Sequence, residues 1–252
     1  METLTPAKAI LLGLVQGLTE FLPVSSSAHL AITQQWLKAP VPLTFDILLH
    51  LATLLAVLMV IDKRVVAIVK NIKNCASTIK IIAVATMVTA IFGLLVENKV
   101  GLFFNKLHFV GIFLVVNALI LASTHPKLPK IKLKKPSGLW LGLAQSLALL
   151  PGISRSGTTI TTAKTIGFKP QEAFEISFLL YIPAVLGAVA LEIAKTPLNI
   201  NQTNITPATL GFLVAFISGW GALKLLQNVL QKSKLWIFAP YCIVLGLLLL
   251  FF

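Results

Sequence analysis

Charge is scarce in this chain: 12% of its 252 residues are Asp, Glu, Lys or Arg, and only eight are acidic. A soluble globular domain carries about 25% charged residues, so that class is excluded. Cysteine is nearly absent. Cys75 and Cys242 form neither a disulfide framework nor the spacing of a thiolate metal site. The N-terminus opens Met-Glu-Thr without a basic segment, and its apolar run carries Gln16 and Glu20, which separates it from a secretory signal.

What fills the chain instead is hydrocarbon. Hydrophobic residues make up 57% of it, the mean hydropathy is +0.92, and several apolar runs approach or exceed the roughly 20 residues that cross a bilayer. The expected fold is an all-α polytopic membrane protein: one transmembrane domain over 1–252 with about six transmembrane helices and two re-entrant helical hairpins. Spans are expected at about 44–62, 79–97, 106–123, 173–193, 209–229 and 236–252. The formal net charge of +13 argues for no nucleic acid, because most Lys and Arg lie in short loops between the apolar runs. Loops 63–78, 124–137 and 229–235 hold eleven of them, while loops 98–105 and 194–208 hold two. The positive-inside rule then puts both termini outside the cytoplasm. Residues Lys63–Lys80 read as an amphipathic surface segment, and this run and the loop that follows Lys127 read as solvated faces near anionic membrane lipids. Asn201-Gln202-Thr203 and Asn204-Ile205-Thr206 match glycosylation acceptors that would lie idle in a bacterium.

Two stretches break the apolar pattern in the same way. Gly13–His29, GLVQGLTEFLPVSSSAH, places Gln16 and Glu20 one helical turn apart, breaks at Pro23, and delivers Ser25, Ser26, Ser27 and His29. Gly142–Thr159, GLAQSLALLPGISRSGTT, breaks at Pro151-Gly152 and delivers Ser154, Arg155, Ser156 and Thr159. Each is followed at similar distance by a matching stretch, Phe45-Asp46-Ile47 after 22 residues and Phe174-Glu175-Ile176 after 23. Each half therefore reads as a broken hairpin and three spans: repeat one over 6–123, a basic loop over 124–137, and repeat two over 138–252. Three spans is odd, so the repeats are expected to be inverted, with a site where they meet.

The side chains at the breaks suit an anionic ligand. An arginine at apolar depth is costly unless it meets an anion, and the planar fork of Arg155 matches phosphate oxygens. Its alternative is a structural partner of Glu20 or Asp46. The serine-rich helix starts, with Ser25, Ser154, Ser156 and Thr159 as candidate substrate contacts, offer backbone N–H groups to phosphate. Ordinary N-capping is the plainer role, preferred for Ser27. Glu20 is open to three roles: cation ligand, general base, or partner of Arg155. Gln16 would hold a ligand water or the substrate. Ser26 and His29, three apart, would share a helical face, as nucleophile with its base; alternatively His29 protonates the leaving group or activates water. His50 reads as a satisfied intramembrane histidine, and Asp46 and Glu175 as groups that orient Arg155 or cap the opposite hairpin.

At these residues the chain resembles the undecaprenyl-diphosphate phosphatase family, the bacitracin-resistance type of membrane phosphatase. Gln16 and Glu20 match its (Glu/Gln)-x-x-x-Glu motif, which runs on through Phe21-Leu22-Pro23-Val24-Ser25-Ser26 to His29. Pro151-Gly152-Ile153-Ser154-Arg155-Ser156-Gly157-Thr158-Thr159 matches the second motif, and Phe174–Pro183 is similar as well. Gln16 stands where many members have glutamate, so Glu20 would carry more of any metal work. The resemblance implies hydrolysis of a polyprenyl diphosphate lipid, undecaprenyl diphosphate, to the monophosphate and inorganic phosphate. It also implies a divalent cation (Mg2+ or Ca2+) as cofactor, and a multi-pass protein of the bacterial cytoplasmic membrane whose site faces outward. The function from a different class is a transporter or flippase of polyprenyl phosphate, since inverted repeats are a transporter architecture. Oligomeric state stays open, a homodimer included.

Overall fold

Sequence punctuation sets the helix ends. In the computed structural model, which describes residues 4–37, 42–104, 106–128, 137–195 and 204–251, every regular element is helical. Helix α1, Pro6–Phe21, starts with Pro6 in its first turn and the Thr5 hydroxyl accepting the Lys8 N–H. It stops where Leu22 turns extended ahead of Pro23, the conformation that a following proline favours. Helix α2, Ser26–Leu37, follows at once. The second break repeats the device. Helix α7, Ser137–Leu147, gives way to a series of turns that contains Pro151-Gly152, and α8, Arg155–Ile166, is capped by Ser154 and ends on Gly167 at φ 109°. Gly152 has φ 111°, and a Cβ there would lie 2.5 Å from the Val110 carbonyl, so only glycine fits.

Between and after these pairs run α3 (Leu43–Val60), α4 (Asp62–Lys70), α5 (Ala76–Phe104), α6 (Leu107–Ala122), α9 (Pro170–Lys195), α10 (Ile205–Gln231) and α11 (Ala239–Leu249). Among the described residues, four stretches are long and apolar enough to cross a membrane: α3, the Ala76–Val96 part of α5, α9 and α10. Leu107–Ala122 and Leu235–Leu249 are shorter apolar helices. This is a multi-pass membrane protein. Helix α4 carries Lys63, Arg64 and Lys70 and buries no residue, as the amphipathic reading expects, though α5 already begins at Ala76 and takes in Lys80.

Two loop expectations need correction. Residues 98–104 are helical, not a loop, because Leu102 and Phe103 continue the apolar run and Phe103 packs edge-on against Phe109 and Phe113. Residues 205–208 belong to α10, whose cap is Asn204 accepting the Thr206 N–H. Asn201, Gln202 and Thr203, and Lys130, Lys132, Lys134 and Lys135 of the basic loop, lie outside the described residues.

Packing crosses between the halves. Helix α1 lies on α10, α7 on α5, and α6 on α11. Where α1 meets α10 the backbones touch: a Cβ on Gly13 would collide with the Gly211 carbonyl, and one on Gly17 with the Ser218 hydroxyl. Gly111 and Gly246 do the same for α6 and α11. In lipid, where apolar side chains gain little by leaving hydrocarbon, such backbone contact is a principal source of helix association. Beneath the two breaks sits an aromatic core in which Phe21 meets Phe178 and Tyr181 edge to face, with centroids 5.6 Å and 6.0 Å apart.

Candidate active site

The two breaks meet. Asn117, buried on α6, donates from Nδ2 to the Pro23 carbonyl (2.9 Å) and accepts at Oδ1 from the Ser154 N–H (3.0 Å), so one side chain holds both interruptions. The Ser156 hydroxyl donates to the Phe21 carbonyl at 2.8 Å, and the Gly152 N–H reaches the Ser27 hydroxyl at 3.4 Å. These bonds satisfy backbone groups that a helix break leaves without partners at membrane depth.

Joining the breaks brings Glu20 to Arg155. Arg155 Nη2 donates to Glu20 Oε1 at 3.0 Å, with side chains 14% and 8% exposed. The other carboxylate oxygen, Oε2, accepts from the Ser26 hydroxyl at 2.6 Å and from Gln16 Nε2 at 3.3 Å. The guanidinium lies over the Tyr181 ring, 4.0 Å from its centroid, and the Tyr181 hydroxyl is bonded to Thr53 at 2.8 Å. One donor is left over. Arg155 Nη1 is buried and has no hydrogen-bond partner among the described residues, and the same holds for the acceptor Gln16 Oε1. An unpaired buried donor on a cation costs on the order of 1–3 kcal/mol or more. A ligand oxygen would repay that cost.

Glu20, Arg155, Tyr181, Ser26 and Ser154 line a cavity of about 210 Å³. A larger one, about 670 Å³, opens beside it between α2 and α3, and Ser26, Ser27 and His50 line both.

The remaining expected residues divide. Ser25 caps α2, its hydroxyl accepting the Ala28 N–H, so capping falls to Ser25 and not to Ser27, which bridges the breaks. Ser25 holds φ 72°, a strained value for a non-glycine residue and one found preferentially at functional sites. Thr159 is fully buried and bonds Ser177 (2.6 Å) and the Arg155 carbonyl (2.7 Å), away from both cavities. His29 Nδ1 sits 2.7 Å from the Ser25 carbonyl and Nε2 2.6 Å from the Tyr241 hydroxyl, with the two rings stacked. Asp46 and Glu175 do not orient Arg155. Asp46 accompanies His50, whose Nδ1 lies 2.9 Å from its carbonyl and 3.5 Å from its carboxylate. Glu175 pairs with Arg64 at 3.4 Å, outside the site.

Asn117 and Tyr181 are the site residues that sequence reasoning missed; His50 was named, and its Nδ1 is satisfied by Asp46 as expected. Asn117 interrupts an apolar run, the signal that singled out Glu20. Tyr181 carries no such mark.

A divalent cation fits the donor chemistry. Glu20 and the unpartnered amide oxygen of Gln16 are hard oxygen ligands, and a magnesium ion commonly takes one or two protein oxygens and the rest from phosphate and water. No group of three His, Cys, Asp or Glu side chains forms a dedicated cage among the described residues.

The family model for the bacitracin resistance protein BacA matches residues 9–248. The undecaprenyl-diphosphatase of Desulfosudis oleivorans is 39% identical to this chain over 96% of each. That of Elusimicrobium minutum is 40% identical over 98% of each, and that of Treponema denticola 39% over 95% of this chain and 94% of its own.

Proposed function

The chain belongs to the BacA family of bacitracin resistance proteins, and from that premise we propose that it hydrolyses undecaprenyl diphosphate to undecaprenyl phosphate and inorganic phosphate. One observation carries the local chemistry: the unpartnered Nη1 of Arg155, buried over a cavity that also holds the Ser26–Glu20 hydrogen bond.

In this reading Arg155 clamps the terminal phosphate through Nη1. Ser26 attacks its phosphorus and passes its proton to Glu20, already 2.6 Å away. The bond to the bridging oxygen breaks, and lipid monophosphate leaves. Water then hydrolyses the phosphoserine. The Tyr241 hydroxyl, which donates to His29 Nε2 one turn along α2, takes the water's proton as it passes its own to His29, while Glu20 returns its proton to Ser26. Ser25, Ser154 and Ser156 hold the two helix starts against the phosphate, and Thr159 supports the first turn of α8 from behind. Glu20 and Arg155 nearly cancel each other, so a diphosphate brings excess negative charge. A magnesium or calcium ion held by Glu20 and Gln16 would neutralise it and polarise the phosphoryl group.

The reciprocal packing of α1 on α10 and α7 on α5 supports two inverted repeats, each a re-entrant hairpin with three spans. The distribution of Lys and Arg supports a site opening to the outer side of the cytoplasmic membrane. The same packing favours a second reading, a carrier of polyprenyl phosphate. Detergent separates the two. Purified protein with a long-chain prenyl diphosphate and magnesium should release phosphate where transport cannot exist; no release rejects the phosphatase.

A further inference from the structure

His50 sits where the two cavities join, outside the proton transfers of the proposed reaction. Its Nδ1 is held at home by Asp46: 2.9 Å to the carbonyl and 3.5 Å to the carboxylate. That arrangement fixes the ring orientation and leaves Nε2 without a partner among the described residues. The groups facing it are Asp46 on its own helix, Glu20 on α1, Arg155 on α8 and the hydroxyls of Ser26 and Ser27 on α2.

A diphosphate has two anionic centres about one phosphate apart, and the described site has one cationic clamp. The smaller cavity, with Arg155 and Ser26, takes the phosphate that is attacked. The second phosphate, bonded to the lipid, must then lie on one side of it. The larger cavity opens between α2 and α3, and among the described residues those common to both cavities are Ser26, Ser27 and His50.

We propose that the Asp46–His50 pair forms a second phosphate subsite, with His50 Nε2–H donating to the lipid-linked phosphate and thereby making the site selective for a diphosphate over a single phosphate. The proposal rests on the phosphatase reading and adds a specificity-determining residue to it. With Nδ1–H committed to Asp46, the donor at Nε2 is that of the imidazolium, and its bond to a phosphate oxygen is charge-assisted and costly to lose. His50 neither gives nor takes a proton in the reaction as drawn.

The test uses purified full-length protein in detergent with inorganic pyrophosphate and orthophosphate as competing inhibitors. Pyrophosphate spans both subsites; orthophosphate fills only the Arg155 side. In the parent, pyrophosphate should inhibit more tightly. His50→Leu should raise the pyrophosphate inhibition constant and the KM for prenyl diphosphate by about ten- to a hundredfold, leaving orthophosphate inhibition unchanged. His50→Gln, which keeps an N–H donor, should stay nearer the parent. Asp46→Asn retains the imidazole and should raise the pyrophosphate constant alone, by a smaller factor, which covers the case of a His50→Leu protein that does not fold. The proposal is overturned if both inhibitors weaken equally, if neither changes, or if His50→Gln and His50→Leu lose kcat alike with KM intact. A parent that releases phosphate yet does not prefer pyrophosphate also overturns it. A parent that releases no phosphate sinks the phosphatase reading instead.

Discussion

Arg155 and Glu20 are 135 positions apart and meet at 3.0 Å. The pair is buried, and burying two charges costs nearly as much as their attraction returns, so it is poorly explained as a stabilising device. It is better explained as a poised site, in which one guanidinium edge is committed to a carboxylate and the other is left for an incoming oxygen anion.

Arg155→Ala should abolish phosphate release. It also strands Glu20 as a buried unpaired charge, a loss of about 3–5 kcal/mol that would lower the melting temperature. The double variant Arg155→Met with Glu20→Gln should recover the melting temperature and remain inactive. Near-parental turnover in Arg155→Ala would remove Arg155 from phosphate binding.

Glu20→Gln keeps an acceptor for Ser26 but cannot take its proton. Turnover should fall by about 10²–10⁴-fold, and titrating magnesium or calcium into chelated protein should no longer stimulate it. Undiminished cation stimulation in this variant would move the cation ligand elsewhere. Gln16→Glu supplies a second carboxylate at the same turn and should keep activity.

Ser26→Ala decides the attacking group. A serine nucleophile predicts loss of turnover and of any acid-stable phosphoprotein trapped by quenching with labelled substrate. If the variant works within about tenfold of the parent, water attacks directly.

Asn117→Leu should unfold the junction at little change in volume. It leaves the Ser154 N–H buried without a partner, at roughly 1–3 kcal/mol, and the Pro23 carbonyl with only the weak Cys242 thiol donor at 3.8 Å, so the melting temperature in detergent should drop accordingly. Asn117→Asp keeps the acceptor for Ser154 but sets a buried carboxylate against the Pro23 carbonyl, so it should lower the melting temperature at least as far.

Cys75, free in the link between α4 and α5, reports orientation. With the basic segments inside, an impermeant thiol reagent should label it only after the cells are opened. Labelling of intact cells would invert the topology.

The helix breaks were legible because proline and glycine act locally: Pro23 holds Leu22 extended at the end of α1, and Pro151-Gly152 shapes the turn between α7 and α8, although Pro183 lies inside α9 without ending it. The motif residues Glu20, Ser26 and Arg155 were legible for a related reason, since polar groups in an apolar run are conspicuous. Their partners were another matter. That Ser26 bonds Glu20, and that His29 turns to Tyr241 on α11, depends on how two distant halves dock, which no spacing along the chain encodes. Ser25 takes the capping role expected of Ser27 for the same reason: capping is decided within a turn, but Ser27 has Gly152 within reach. Helix α5 outran its expected end because Phe103 finds aromatic neighbours across the turn.

The Asn117 clasp has a consequence for how the protein is inherited and assembled. Residues 4–128 carry Ser26 and Glu20, and residues 137–251 carry Arg155 and Tyr181, so neither fragment alone contains the whole cluster. Competence resides in their reunion: a polypeptide severed between the two would be silent as separate pieces and revive on co-expression.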